Sequence, residues 1–229
     1  MNLKCTASAA NQNLQCWKNY VEGHAQVLRD FGIEVLTSYG EDWIHNPNVY
    51  LISATDENGK TVGGIKVHKT HSEYQLPVQA AIGELAPEIN QMINSASLHG
   101  AGEICGLWIA KEAGRRGLAH YLTRIAIAIC PSIGVKTIFG ISSPFTLNMF
   151  LSLGYEKMSA LGENGDFWYP TPEFLSTAVC IEDTVLLPTA DEEHRSRIFS
   201  LRVQPTQKHT ENHLNIITEI EYNLSDVIA

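Results

Sequence analysis

The sequence predicts an α/β fold: a twisted mixed sheet with helices on both faces, followed by a C-terminal extension. Three observations carry this. Between Glu103 and Leu161, strand-like and helical patterns alternate as strand, helix, strand, helix, strand, the order of a mainly parallel core. Ahead of them, VYLISA (49–54) and TVGGIKVH (61–68) flank a turn with an Asn-Gly pair, Asn58-Gly59, the signature of a β-hairpin. The run LAHYLTRIAIAIC (118–130) is apolar nearly all round in its second half, as a helix buried against a sheet must be.

Taken in order, Asn2 to Ser8 reads as a first strand. Asn11 to Phe31 has helical spacing at Leu14, Trp17, Val21, Leu28 and Phe31, with Asn11 or Asn13 as cap and Gly32 as stop. Glu34 to Asn48 is mixed and ends in a turn at Pro47. Gly63 and Gly64 inside the returning hairpin strand predict a bulge or a close backbone approach. His68 to Ala101 is a long insert, expected to contain a helix over Gly83–Leu98 and to line or cover an acceptor site. Glu103–Ala110 is a strand, Arg116–Cys130 a helix ended by Pro131, Val135–Ile141 a strand, Phe145–Leu153 a short helix, and Tyr155–Leu161 a strand. Gly162–Pro172 is a loop holding Phe167, Trp168 and Tyr169, which either wall an acceptor pocket or plug the end of the sheet. Thr177–Leu187 reads as a strand, Ala190–Leu201 as a helix with acidic start and basic end, and His213–Leu224 as a last strand.

Composition narrows the function. Hydrophobic content of 44% and charged content of 18% suit a globular chain with a substantial core. A net charge of −9 argues against nucleic-acid and anionic-membrane partners. The five cysteines are odd in number, scattered and without a C-x-x-C pair, which points to a reducing cytoplasm. No apolar run reaches the length of a membrane span, and the N-terminus lacks a signal-peptide core. His68 and His71 read as solvated loop histidines, and no set of ligands at metal spacing stands out.

The functional reading rests on Gly102 to Pro131. A strand headed by Glu103 passes through a short turn into GRRGLA and then into the long helix. Main-chain N–H groups at a helix N-terminus lack internal partners, and the helix dipole adds positive charge there. The amides of Arg115, Arg116, Gly117, Leu118 and Ala119 therefore form a candidate phosphate cradle, with two guanidinium charges beside it. An ordinary turn carrying surface arginines is the plainer reading.

From Val62 to Met158 the chain resembles the GNAT superfamily of acyl-CoA N-acyltransferases. EICGLWIAKEAGRRGLAHYL is similar to that family's main motif, a strand followed by [Gln/Arg]-x-x-Gly-x-[Gly/Ala] and a helix, with Gly114, Gly117 and Ala119 in the signature places. SPFTLNMFLSLGYEKM resembles its second motif, where Ser143 stands for the usual Asn, Phe150 for the usual Tyr, and Gly154-Tyr155 match the end. A narrower likeness, through VGGIKVH, the long insert and FWYPTPEFLSTAVCIED, is to the N-acyl amino acid synthase and acyl-homoserine-lactone synthase branch.

The resemblance implies that residues 1–187 form an acyltransferase domain and residues 188–229 an extension packed on it. It implies acyl-CoA, most simply acetyl-CoA, as co-substrate, no prosthetic group, and a primary amine as acceptor. An acyl carrier protein as donor and a homodimer are further options. It places the coenzyme A diphosphate on Gly114 to Ala119, and the pantetheine arm along Leu107, Trp108 and Ile109, with Ser143 beside them. Glu103 is the candidate general base, its alternative being a strand-end carboxylate paired with a surface cation. With Phe150 in the usual tyrosine place, Tyr155 (or Tyr121) is a substitute proton donor by residue type alone. Cys105 as an acyl-enzyme nucleophile is weighed against inert core. Two rivals complete the set: long-chain transfer to an amino acid from a carrier protein, and a non-catalytic acyl-CoA-binding module.

Overall fold

A computed structural model describes residues 1–30, 32 and 42–228. Among them the strands are β1 (Asn2–Ala9), β2 (Val49–Asp56), β3 (Thr61–Lys69), β4 (Ala101–Ile109), β5 (Thr137–Ser142), β6 (Glu156–Lys157), β7 (Asp166–Trp168), β8 (Leu175–Ile181), β9 (Thr206–His213) and β10 (Ile216–Asn223). The helices are α1 (Leu14–Asp30), α2 (Pro77–Ile82), α3 (Glu88–Ser97), α4 (Leu118–Ile129), α5 (Leu147–Ser152) and α6 (Glu192–Val203). The strands form one mixed sheet in the order β6-β8-β5-β4-β3-β2-β1-β10-β9, with β7 also on β8.

Both faces of this sheet are covered. On one, α4 buries Leu118, Leu122, Ile125 and Ile129 in a cluster with Ile52 of β2, Ile65 and Val67 of β3 and Ile104 of β4. Each such side chain contributes about 1.5–3 kcal/mol when removed from water. On the other, α1 covers Leu51 and Trp108, while α2 and α3 cover Ala101, Phe139 and Ala178. Asn13 caps α1, its Oδ1 accepting the Cys16 N–H at 3.0 Å. Close approach explains Gly64: a Cβ there would lie 2.6 Å from the Tyr20 ring.

Several expectations change. The insert holds two helices, because Pro77 starts one and Pro87 precedes the other. The strand expected over Tyr155–Leu161 shrinks to β6, and a further contact, Met158 N–H to Ala178 O at 2.9 Å, leads into a turn. The loop expected over Gly162–Pro172 contains β7. β9 was not foreseen. The helix end at Phe31, and the stretch from Glu34 to Glu41, lie outside the described residues.

Residues after Pro188 extend the same sheet. α6 packs on α4, and β10 pairs in parallel with β1, bringing β9 to the edge. Buried Arg124 of α4 ties this segment down: its guanidinium donates to both carboxylate oxygens of Glu211 at 3.1 Å and to Glu193 at 3.2 Å.

Candidate active site

β4 is paired on both sides only at its beginning. Ala101, Gly102 and Glu103 lie beside Thr137, Ile138 and Phe139 of β5, and there the parallel pairing stops. Gly106, at φ +63°, bends β4 away, a conformation glycine adopts without cost. The Tyr20 hydroxyl donates to the Gly106 carbonyl and holds the bend. The gap between the strands opens a cavity of ≈ 250 Å³, lined among others by Glu103, Cys105, Leu107, Ser143, Thr146 and Phe150.

Glu103 heads this cavity. Its side chain is buried, and Oε2 accepts the Val78 N–H of α2 at 2.7 Å. Burial pushes its carboxyl up to about 8, against the opposing pull of that hydrogen bond and of Lys66. Lys66, fully buried on β3, is pushed down by burial to about 8, and its ammonium lies 4.1 Å from the centre of the Trp43 ring. His68 is the cross-strand partner of Glu103. It is buried, not solvated as expected, and burial with Lys66 nearby keeps it neutral.

Beyond β4, the chain makes the turn into α4. Gly114 is extended, Arg115 takes φ +63°, and Gly117, at φ +77°, is the residue before the helix. Among the described residues no side chain caps α4, as helix N-termini often require for their first-turn N–H groups. Arg115 is exposed and Arg116 half-buried beside them. Gly117 has a second constraint: a Cβ would lie 2.7 Å from the Tyr121 hydroxyl and 2.9 Å from His213 of β9. The C-terminal hairpin thus leans on the turn into α4, a contact no local pattern signals.

No protein-family model matches the sequence, and none of the curated proteins matches it either. Solved structures do match. FeeM, an N-acyl amino acid synthase from uncultured soil microbes, superposes with a TM-score of 0.61 at 10% identity, covering 76% of this chain and 94% of its own. An acyl-CoA N-acyltransferase from Pseudomonas aeruginosa gives 0.55 at 10%, covering 78% and 99%. BjaI, a CoA-dependent acyl-homoserine lactone synthase solved with SAM and isopentyl-CoA, gives 0.54 at 12%, covering 99% and 97%. The fold is that of the GNAT acyltransferases.

Within that fold the candidate residues fall into four places. Glu103, Leu107 and Ser143 line the cavity. Gly114 to Ala119 form the helix-terminal loop. Trp108 turns its indole toward α1, 6.1 Å from Tyr20, while Ile109 packs on the α4 side. Tyr155 is not among the residues lining the cavity. It is buried in the α4-side core, edge-on to Phe150 at 4.9 Å, and its hydroxyl meets no partner among the described residues. Cys105 does line the cavity, but burial and nearby Glu103 push its thiol up, so it stays protonated and poorly nucleophilic.

Sequence reasoning missed two groups. Lys66 brings charge to the inner face of β3, two residues before His68, and its one signal is a lysine inside an apolar strand. The Thr146 hydroxyl, 3.0 Å from Ser142 Oγ and 3.1 Å from Ser143 Oγ, completes a hydroxyl group at the cavity wall, close to Phe150 in sequence.

Proposed function

We propose that the protein transfers an acyl group, most simply acetyl, from acyl-CoA to a primary amine. The donor diphosphate sits on the amides of Arg115 to Ala119, with Arg115 and Arg116 beside it. The pantetheine arm runs along β4 from Ile109 toward Leu107, taking the place of the strand pairing that β5 gives up. The thioester then reaches the cavity headed by Glu103.

Ionised Glu103 takes a proton from the ammonium, and the freed nitrogen lone pair attacks the thioester carbonyl carbon. Main-chain N–H groups of the bent β4 segment stabilise the tetrahedral oxyanion. Collapse breaks the C–S bond, the remaining extra proton on nitrogen passes to the departing sulfur, the neutral amide forms, and coenzyme A leaves as a thiol. Hydroxyls of Ser143 and Thr146 line the wall where the departing sulfur can accept hydrogen bonds, a part Phe150 cannot play. Holding both reactants in fixed positions supplies the rest.

The observation that carries this reading is a buried carboxyl, raised to about 8, at the head of a cavity where a strand has lost its partner. The fold neighbours support it. Five free cysteines fit a reducing cytoplasm, where acyl-CoA is made.

A second reading, long-chain transfer from an acyl carrier protein, is favoured by the apolar part of the cavity wall, with Leu28, Ile65, Ile141 and Phe174. A donor panel separates the two. Acyl-CoA esters of increasing chain length and the matching acyl carrier proteins are assayed for thiol release with a mixed amine acceptor. Turnover of short acyl-CoA donors is expected; turnover confined to long-chain carrier-protein donors would replace the first reading with the second.

A further inference from the structure

A second, larger concavity adjoins the cavity. It is a cleft of ≈ 970 Å³ between the end of β3 and the α2–α3 pair, at the upper end of the size of small-molecule sites. Pro77 lines both spaces, and the next residue, Val78, donates its N–H to Glu103. His68, directly across the strand pair from Glu103, also lines the cleft. The first turn of α2 is therefore the shared wall: Glu103 lines the cavity on one side of it, and the cleft lies on the other.

The lining is chemically one-sided. Side-chain amides and hydroxyls such as Asn46, Gln75, Asn90, Asn94 and Ser97 stand around the aromatic rings of Trp43 and Tyr74. Among the described lining residues there is no lysine or arginine, and Glu73 is the one carboxylate. The near cation, Lys66, is fully buried over Trp43 and lines neither space. His68 is 4% exposed, and its Nε2 meets no partner among the described residues. Buried polar groups without partners are rare, so this one is best satisfied by a ligand hydroxyl, amide or water.

We infer that this cleft is the acceptor site and that it takes a primary amine with an uncharged, hydrogen-bonding body, hydroxyl- or amide-bearing, and not an amino acid with a free carboxylate. The inference rests on the acyl-transfer reading and names its acceptor class. A carboxylate placed here would lose its hydration and gain no lysine or arginine, with His71 a half-buried imidazole at the lining, whereas hydroxyls gain the amide side chains and an aromatic face.

The test compares serinol with serine, amines of similar basicity that differ in a hydroxymethyl against a carboxylate. Acetyl-CoA-dependent thiol release should give serinol a kcat/KM at least tenfold above serine. Asn94→Lys, an exposed position on α3, puts a cation in the cleft and should shift that ratio toward serine while acetyl-CoA affinity stays at the wild-type value. Equal or better use of serine by the wild-type protein, or a ratio that Asn94→Lys leaves unmoved, overturns the inference. Ligand-observed NMR titration of the same pair reads the cleft without turnover. Tighter binding of serinol supports the inference even if no thiol is released, an outcome that would sink the acyl-transfer reading alone. Binding of neither ligand, or tighter binding of serine, overturns it.

Discussion

Replacing Glu103 with glutamine removes the base and little else. Glutamine has nearly the same shape, and its carbonyl oxygen can still accept the Val78 N–H held now at 2.7 Å. A positioned general base contributes ~10²–10⁴-fold, so turnover should fall by about that factor, ~3–5 kcal/mol of barrier, with acyl-CoA affinity unchanged. With a carboxyl at about 8, roughly a tenth is ionised at pH 7, so the wild-type rate should climb nearly tenfold per unit below pH 8 and level off above it. The variant should lose that break.

Stability gives an independent readout with a definite sign. The folded carboxyl is raised from 4.5 to about 8, so Glu103 favours the folded state fully below pH 4.5 and ceases to do so as pH rises to 8. Lys66 acts oppositely, its folded value lying below 10.5, and restores stability only above about pH 8. Urea denaturation from pH 5 to 8 should therefore show a decline of a few kcal/mol in the wild-type protein and a flatter profile in Glu103→Gln. Wild-type turnover in the variant, or a retained break near pH 8, refutes the general-base argument.

Arg115→Ala/Arg116→Ala should weaken acetyl-CoA binding about tenfold in calorimetry and reduce its salt dependence, since both charges flank the loop. Gly117→Val should abolish that binding and lower Tm, because left-handed backbone costs ~1–2 kcal/mol for a residue with a Cβ and this Cβ would collide with Tyr121 and His213. Tyr155→Phe should leave turnover within about twofold and Tm unchanged or higher, as a buried hydroxyl without a described partner contributes little; a large loss of turnover would return Tyr155 to the chemistry. Arg124→Met should cost about 3 kcal/mol in chemical denaturation, because buried Glu211 would lose its two-oxygen partner and keep only Arg197 at 3.9 Å.

Local patterns made the centre of the molecule legible. β4, α4 and the glycine turn between them carry strong signals, namely a continuous apolar run, helical spacing and a proline stop. The hairpin β2–β3 was marked by Asn-Gly, and α1 by Asn13. What could not be read depends on distant neighbours. β9, TQKHTENH, lies at the sheet edge with several side chains exposed, so it has no apolar alternation to reveal it. His68 looked like a loop histidine because its burial comes from Trp43 and the cross-strand Glu103. Glu103 itself was visible as a carboxylate before an apolar strand, but its closed surroundings depend on α2, part of an insert whose fold had no clear signature. For the same reason, the cleft beside that insert was anticipated only as a location.

Acceptor-dependent thiol release tests acyl transfer most directly. Purified protein, acetyl-CoA and a panel of neutral primary amines should release coenzyme A in step with the appearance of the N-acylated amine by mass spectrometry. Firm acetyl-CoA binding with no acceptor-dependent release across that panel would contradict the account and leave an acyl-CoA-binding module in its place.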